Sequence, residues 1–158
     1  MSLILLVFGV GMIVGNLLGG RLADRGLAPA LIITLAVLAA VLGLFPFALG
    51  YQWTTVVFVG LLGMAGFATV APLQLWVLNR AEGAASLASS FNIGAFNLGN
   101  AIGAGLGGVV IERSGSFTAV PGAAALVALT GLAVAVWAIK REHGESLRPA
   151  PAISCEQE

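Results

Sequence analysis

Hydrophobic residues run along this chain in long uncharged stretches, separated by short clusters of charge. The clusters lie at Arg21–Arg25, Arg80–Glu82 and Glu112–Arg113, and from Lys140 onward. Each stretch between them reaches the length needed to cross a bilayer as a helix, about 20 residues. The pattern predicts five spans, over residues 3–20, 29–49, 53–78, 84–111 and 117–139. The runs are too long and too continuous for the short alternating strands of a membrane barrel. Helices also satisfy their own backbone hydrogen bonds, which hydrocarbon demands. The expected architecture is therefore an all-α integral membrane bundle over residues 1–140. A solvated, disordered tail is expected over 141–158, since the stretch from His143 is rich in glutamate and proline.

Composition sharpens this picture. The hydrophobic class makes up 59% of the 158 residues and charged residues only 9%, too few to cover a water-facing surface. The net charge of zero gives no footprint for nucleic acid. The single cysteine, Cys155, excludes an internal disulfide and a cysteine metal site. The first apolar segment has basic residues after it and none before it. That order is the reverse of a secretory signal, so the segment reads as a retained span.

Charge also sets the orientation. With five spans, Arg21, Arg25, Arg80, Lys140, Arg141 and Arg148 share one side, and Arg113 alone takes the other. Basic residues collect in the cytoplasm, which puts the N-terminus outside and the C-terminus inside the cell's inner (plasma) membrane. Tyr51 and Trp53 would mark the outer interface, and Trp76 and Trp137 the inner one. An odd span count, with no basic segment ahead of the first span, predicts that further helices are missing upstream of Met1.

The predicted spans contain no Asp, Glu, Lys, Arg or His. Proton relays, ion coupling and intramembrane catalysis need such groups. With no nucleophile set, phosphate loop or metal cluster visible either, an enzyme is not expected, nor a metal or other cofactor. What stands out is uncharged. Gly11, Gly15 and Gly19 recur at four-residue spacing and share one face of the first span. Such a groove serves close helix packing, static or sliding. In the fourth span Ser89, Asn92, Phe96, Gly99, Asn100, Gly103 and Gly107 fall within one arc, with Asn97 and Ser90 beside it. This small, polar face should meet protein or water, either as interhelical glue or as the lining of a hydrated path. Gln74 is the lone amide of the third span, where Pro72 predicts a bend.

The segment Gly15-Asn16-Leu17-Leu18-Gly19-Gly20-Arg21-Leu22-Ala23-Asp24-Arg25-Gly26 resembles the loop motif of the major facilitator superfamily, whose core reads G-x-L-A-D-R. The run from Ala88 to Gly108 is similar to the eleventh helix of its drug:proton antiporter and sugar-efflux branch. The resemblance covers nearly the whole chain except the tail. It implies that the five spans are helices eight to twelve of a twelve-helix fold, an incomplete C-terminal half. The motif is abbreviated here, since Gly26 is followed by Leu27, Ala28 and Pro29 rather than by a second glycine and basic residues.

By resemblance, Gly20, Arg21, Asp24, Arg25 and Gly26 are the loop residues, and Asp24 would meet a helix of the other half. Gln74, Ser89, Asn92, Phe96, Asn97 and Asn100 would line the transport path or the boundary between halves. Gly11, Gly15, Gly19, Gly99, Gly103 and Gly107 would pack helices. The implied activity is proton-coupled efflux of small molecules such as drugs or sugars, by alternating access between two halves. Its partners are the lipid bilayer, the missing N-terminal helices and a small-molecule substrate. From another class, a non-transporting helical scaffold or subunit that packs through its glycine faces also fits these residues.

The orientation is testable at Cys155. A membrane-impermeant thiol reagent is expected to label it only after cells are permeabilised; labelling of intact cells would reverse the topology.

Overall fold

In the computed structural model, residues 2–81 and 83–146 are described. They form six helices: α1 (Ser2–Arg25), α2 (Leu27–Ala48), α3 (Gln52–Ala68), α4 (Val70–Arg80), α5 (Ala85–Ser114) and α6 (Ala119–Ser146). α3 and α4 form one bent span, Gln52–Arg80, so five segments are long and apolar enough to cross a membrane. α2 touches α1, α3, α4 and α6, and α1 lies against both α3 and α4. α5 touches only α4 and α6.

The interior is built from small side chains. Among the described residues, seven of the nine buried hydrophobic side chains are alanines, whereas Leu3, Leu5, Ile13, Phe47, Trp53 and Phe91 are among the large ones facing outward. Lipid tails are as apolar as leucine, so burying a large side chain gains little. Close backbone approach gains dispersion contacts instead. The glycine stripe of α1 does this against α3. Gly11, Gly15 and Gly19 are all buried. A Cβ on each would land on the backbone carbonyl of Gly60, Met64 and Ala68 respectively. The register advances four residues on both helices, so α1 and α3 run parallel. The contact is reciprocal, since a Cβ on Gly63 would stand 2.7 Å from the Phe8 carbonyl oxygen.

The bend in the third span falls at Thr69, three residues before Pro72. Proline lacks the N–H that would bond the Ala68 carbonyl. The chain adjusts there: the Thr69 N–H and hydroxyl both donate to the Gly66 carbonyl, at 3.3 and 2.6 Å. Pro72 itself is fully buried. At the turn between α2 and α3, Thr54 and Thr55 donate to the Ala48 carbonyl at 2.7 and 3.1 Å. They thereby satisfy an acceptor left open by the end of α2. α5 ends on Gly115 at φ 62, where only glycine is unstrained, and its N–H closes on Ile111 at 2.9 Å.

Two expectations need adjustment. α1 does not stop at Gly20 but continues to Arg25, so most of the loop motif is helical and a single residue, Gly26, connects α1 to α2. The Gly26 N–H caps α1 on the Leu22 and Ala23 carbonyls at 3.3 and 3.2 Å. α6 likewise runs on to Ser146, so residues 141–146 are helix rather than tail. The remainder of the expected tail, with Arg148 and Cys155, lies outside the described residues.

Gly15→Leu is expected to destabilise the bundle by at least about 1–3 kcal/mol, because the added side chain meets backbone that cannot move aside. Gly9→Ala meets nothing within 4 Å. It should leave stability unchanged or raise it by up to about 1 kcal/mol. Unfolding of the purified chain by denaturing detergent measures both.

Candidate functional site

The polar residues of the spans meet where α4 leads into α5. α5 folds back beside α4, with the Ala84 N–H on the Ala81 carbonyl at 3.1 Å, so positions equally distant from the connection face each other. Gln74, two residues before Trp76 on α4, points at the first turns of α5. Its Nε2 donates to the Ser89 hydroxyl at 2.9 Å, and its Oε1 accepts from Asn92 Nδ2. Ser89 and Asn92 are three residues apart and so share a face. One carboxamide thus engages both. All three side chains are half-buried. Arg80 follows Gln74 by six residues, which puts the contact about 9 Å from the charged end of α4.

The rest of the asparagine face is placed differently. Phe96, Asn97 and Asn100 are exposed, and Asn100 sits midway along α5. Among the described residues, neither Asn97 nor Asn100 has a side-chain hydrogen-bond partner. Farther along, Gly99, Gly103 and Gly107 line a groove of about 490 Å³ whose other wall is Val120, Ala123 and Val127 of α6. A Cβ on Gly99 or Gly103 would meet nothing within 4 Å, and one on Gly107 only the edge of Val120. These glycines therefore make no close packing like that of Gly11, Gly15 and Gly19. No residue of α5 is buried, although it is 30 residues long.

At the end of α1, Arg21, Asp24 and Arg25 are exposed and Gly20 and Gly26 half-exposed. Among the described residues Asp24 makes no ion pair, so its helical neighbours Arg21 and Arg25 do not neutralise it by contact. No group of three or more metal-ligating side chains occurs among the described residues.

Sequence reasoning named Gln74, Ser89 and Asn92 but not their meeting. The signal was available: counted outward from the connection, Gln74 mirrors a position between Ser89 and Asn92. The polar contact consists of one hydroxyl and two carboxamides, with no ionisable group among them. What it can do is tie two helices together or offer hydrogen bonds to a solute.

Comparison with known proteins points the same way. A family model described as Major Facilitator Superfamily matches residues 1–154. The Escherichia coli O157:H7 protein named inner membrane transport protein YdhP is 43% identical over 130 residues, covering 82% of this chain and 33% of its own length. The Bacillus subtilis protein named uncharacterized MFS-type transporter YfhI is 31% identical over 134 residues, 85% of this chain and 34% of its own length. The Escherichia coli K12 protein named putative transporter AraJ is 34% identical over 134 residues, 84% of this chain and 34% of its own length. No solved structure gives a match. The chain spans about a third of the length of these relatives.

A double-mutant cycle between Gln74→Leu and Asn92→Leu is expected to give a coupling of about 0.6–1.7 kcal/mol, the range measured for hydrogen bonds between membrane helices. The same cycle between Gln74 and Asn100 should give none. Equal couplings would show that the contact contributes nothing specific.

Proposed function

The chain belongs to the major facilitator superfamily, and from that premise we propose that it forms the last five helices of a secondary transporter. In this reading it is helices eight to twelve of twelve, and it works by alternating access, the two halves rocking about a central site. It is a multi-pass membrane protein, and five apolar helices with transporter-named relatives support a role in transport rather than catalysis. The relative named as an inner membrane protein favours that membrane. The distribution of basic residues between the spans supports an N-terminus outside and a C-terminus in the cytoplasm. The activity proposed is proton-coupled efflux of a small molecule such as a drug or a sugar.

The observation that carries the proposal is the exposed mid-span pair Asn97 and Asn100. A carboxamide turned into hydrocarbon without a partner costs on the order of 1–3 kcal/mol on protein scales. Two exposed near the middle of one span are not explained by packing within this chain. They fit a helix that faces a hydrated cavity and a second bundle. Gln74, Ser89 and Asn92 then close one end of that face and Gly99, Gly103 and Gly107 form the other. The parallel pair α1 and α3 supplies a stiff wall, and Asp24 stands exposed at its cytoplasmic end for a helix of the other half.

No carboxylate lies in the described spans between the charge clusters. In this proposal the coupling proton is therefore carried by the helices that this chain does not include.

The hydrated path is tested by thiol accessibility in membranes, on a Cys155→Ser background. Asn100→Cys is expected to react with a water-soluble thiol reagent at least about tenfold faster than Leu98→Cys, which lies across the helix. Equal, slow reaction at both positions would mean that α5 faces lipid all round and would remove the basis for a transport path.

A further inference from the structure

The same two-residue unit occurs on two parallel spans. Arg80 lies over Trp76, with its Cζ 3.8 Å from the ring centroid, and Arg141 lies over Trp137 at 4.5 Å. Each arginine follows its tryptophan by four residues, one helical turn farther on the same face. Each unit also sits where an apolar stretch runs out. The third and fifth spans run in the same direction, so both units stand on one side of the membrane. Amphipathic indole rings settle at headgroup depth. A guanidinium resting on such a ring is therefore held at the level of the lipid phosphates.

The two units differ in what else they touch. Arg80 donates Nη1 to the Trp76 carbonyl at 3.2 Å and makes a further interaction besides. Part of its fork is therefore already engaged by the protein. Arg141 rests on its indole, and among the described residues no carbonyl or carboxylate accepts from it. Trp137 is 58% exposed, and Lys140 and Arg141 are both exposed beside it. A guanidinium stacked by its face keeps its N–H edge open, and that edge matches two oxygens of a phosphodiester.

We propose that Trp137, Lys140 and Arg141 form a seat for the headgroup of an anionic phospholipid. The indole lies along the glycerol and upper acyl region, and the Arg141 fork takes two phosphate oxygens. Lys140 supplies the second positive charge, which discriminates against zwitterionic headgroups. The stacked ring fixes the guanidinium in place before the lipid arrives, so less side-chain freedom is lost on binding. The seat is independent of what the protein transports.

The test uses the full chain with Trp53→Phe and Trp76→Phe, leaving Trp137 as the only tryptophan, excited at the red edge where Tyr51 does not absorb. It is inserted in phosphatidylcholine vesicles containing a small fraction of acyl-brominated phosphatidylglycerol or acyl-brominated phosphatidylcholine. Fluorescence quenching then reports which lipid sits beside Trp137. Brominated phosphatidylglycerol is expected to be preferred by about fivefold, the weight of one basic residue at an anionic surface. Arg141→Gln should bring the preference down to about twofold or less, whereas Arg80→Gln should leave it in place. Quenching by brominated phosphatidylcholine checks that Trp137 remains at the interface in each variant. Lys140→Gln, which keeps the stacked pair, should lower the preference without abolishing it. Equal quenching by the two lipids would overturn the proposal. So would a preference insensitive to Arg141→Gln, or one lost equally with Arg80→Gln, since either marks diffuse surface charge rather than a seat.

Discussion

A polar atom in hydrocarbon has no water to turn to, and the arrangement of this chain follows from where each such atom finds a partner. The third span shows it most directly. Pro72 removes the donor that would close on the Ala68 carbonyl, inside a helix that cannot leave a carbonyl facing lipid. That carbonyl is the one lying against Gly19 of α1, where the absent side chain lets the backbones meet. The close approach of the two backbones keeps lipid away from that carbonyl. The same economy appears at the helix ends, where Thr54 and Thr55 return to Ala48, and along α2, where buried Thr34 donates back to Ala30 at 2.9 Å. Among the described residues no buried side-chain polar atom is left without a partner.

The accounting leaves α5 as the exception. Gln74 spends both ends of its carboxamide on Ser89 and Asn92, so the charged-end portion of the asparagine face is satisfied within the chain. Asn97 and Asn100, one and two turns farther on, are not. Glycines follow them on the same helix, facing a groove rather than a neighbour's backbone. Two kinds of small-residue stripe thus occur in one protein. The stripe on α1 is consumed by α3, while that on α5 meets no backbone among the described residues. The sequence pattern of the two is the same, and only the fold separates them.

How much could be read in advance depended on whether the signal was local. Span number was legible because charge cannot sit in hydrocarbon. That Gly11, Gly15 and Gly19 share a face was legible from their spacing, but that α3 fills it was not, since Gly99, Gly103 and Gly107 have the same spacing and no such neighbour. The bend was legible from Pro72, although the break itself falls at Thr69, where the freed carbonyls are re-paired. The end of α1 was misjudged because Arg21, Asp24 and Arg25 look like a loop by polarity. Nothing in those residues stops a helix, and Gly26 is the first that does. The run of α6 to Ser146 was missed for the same reason: polar residues end a span without ending a helix. The pairing of Gln74 with Asn92 needed a tertiary step, the mirror relation between α4 and α5.

The joints of the bundle are unequal in stiffness, and this bears on how it could move. α1 and α3 meet backbone to backbone over three helical turns, so sliding one past the other would drive glycine Cα atoms into carbonyls. Packed contacts of that kind have few intermediate positions. α4 and α5 meet through side-chain amides whose hydrogen bonds are worth little individually and can be exchanged for others. Between these two contacts lies Thr69, where the helix has already given up its regular bonding. A displacement of α5 relative to α1 would therefore be taken up first at Thr69 and at the Gln74 carboxamide, with the α1–α3 pair moving as one body. α4, eleven residues long and anchored at one end by buried Pro72, is short enough to follow as a rigid lever.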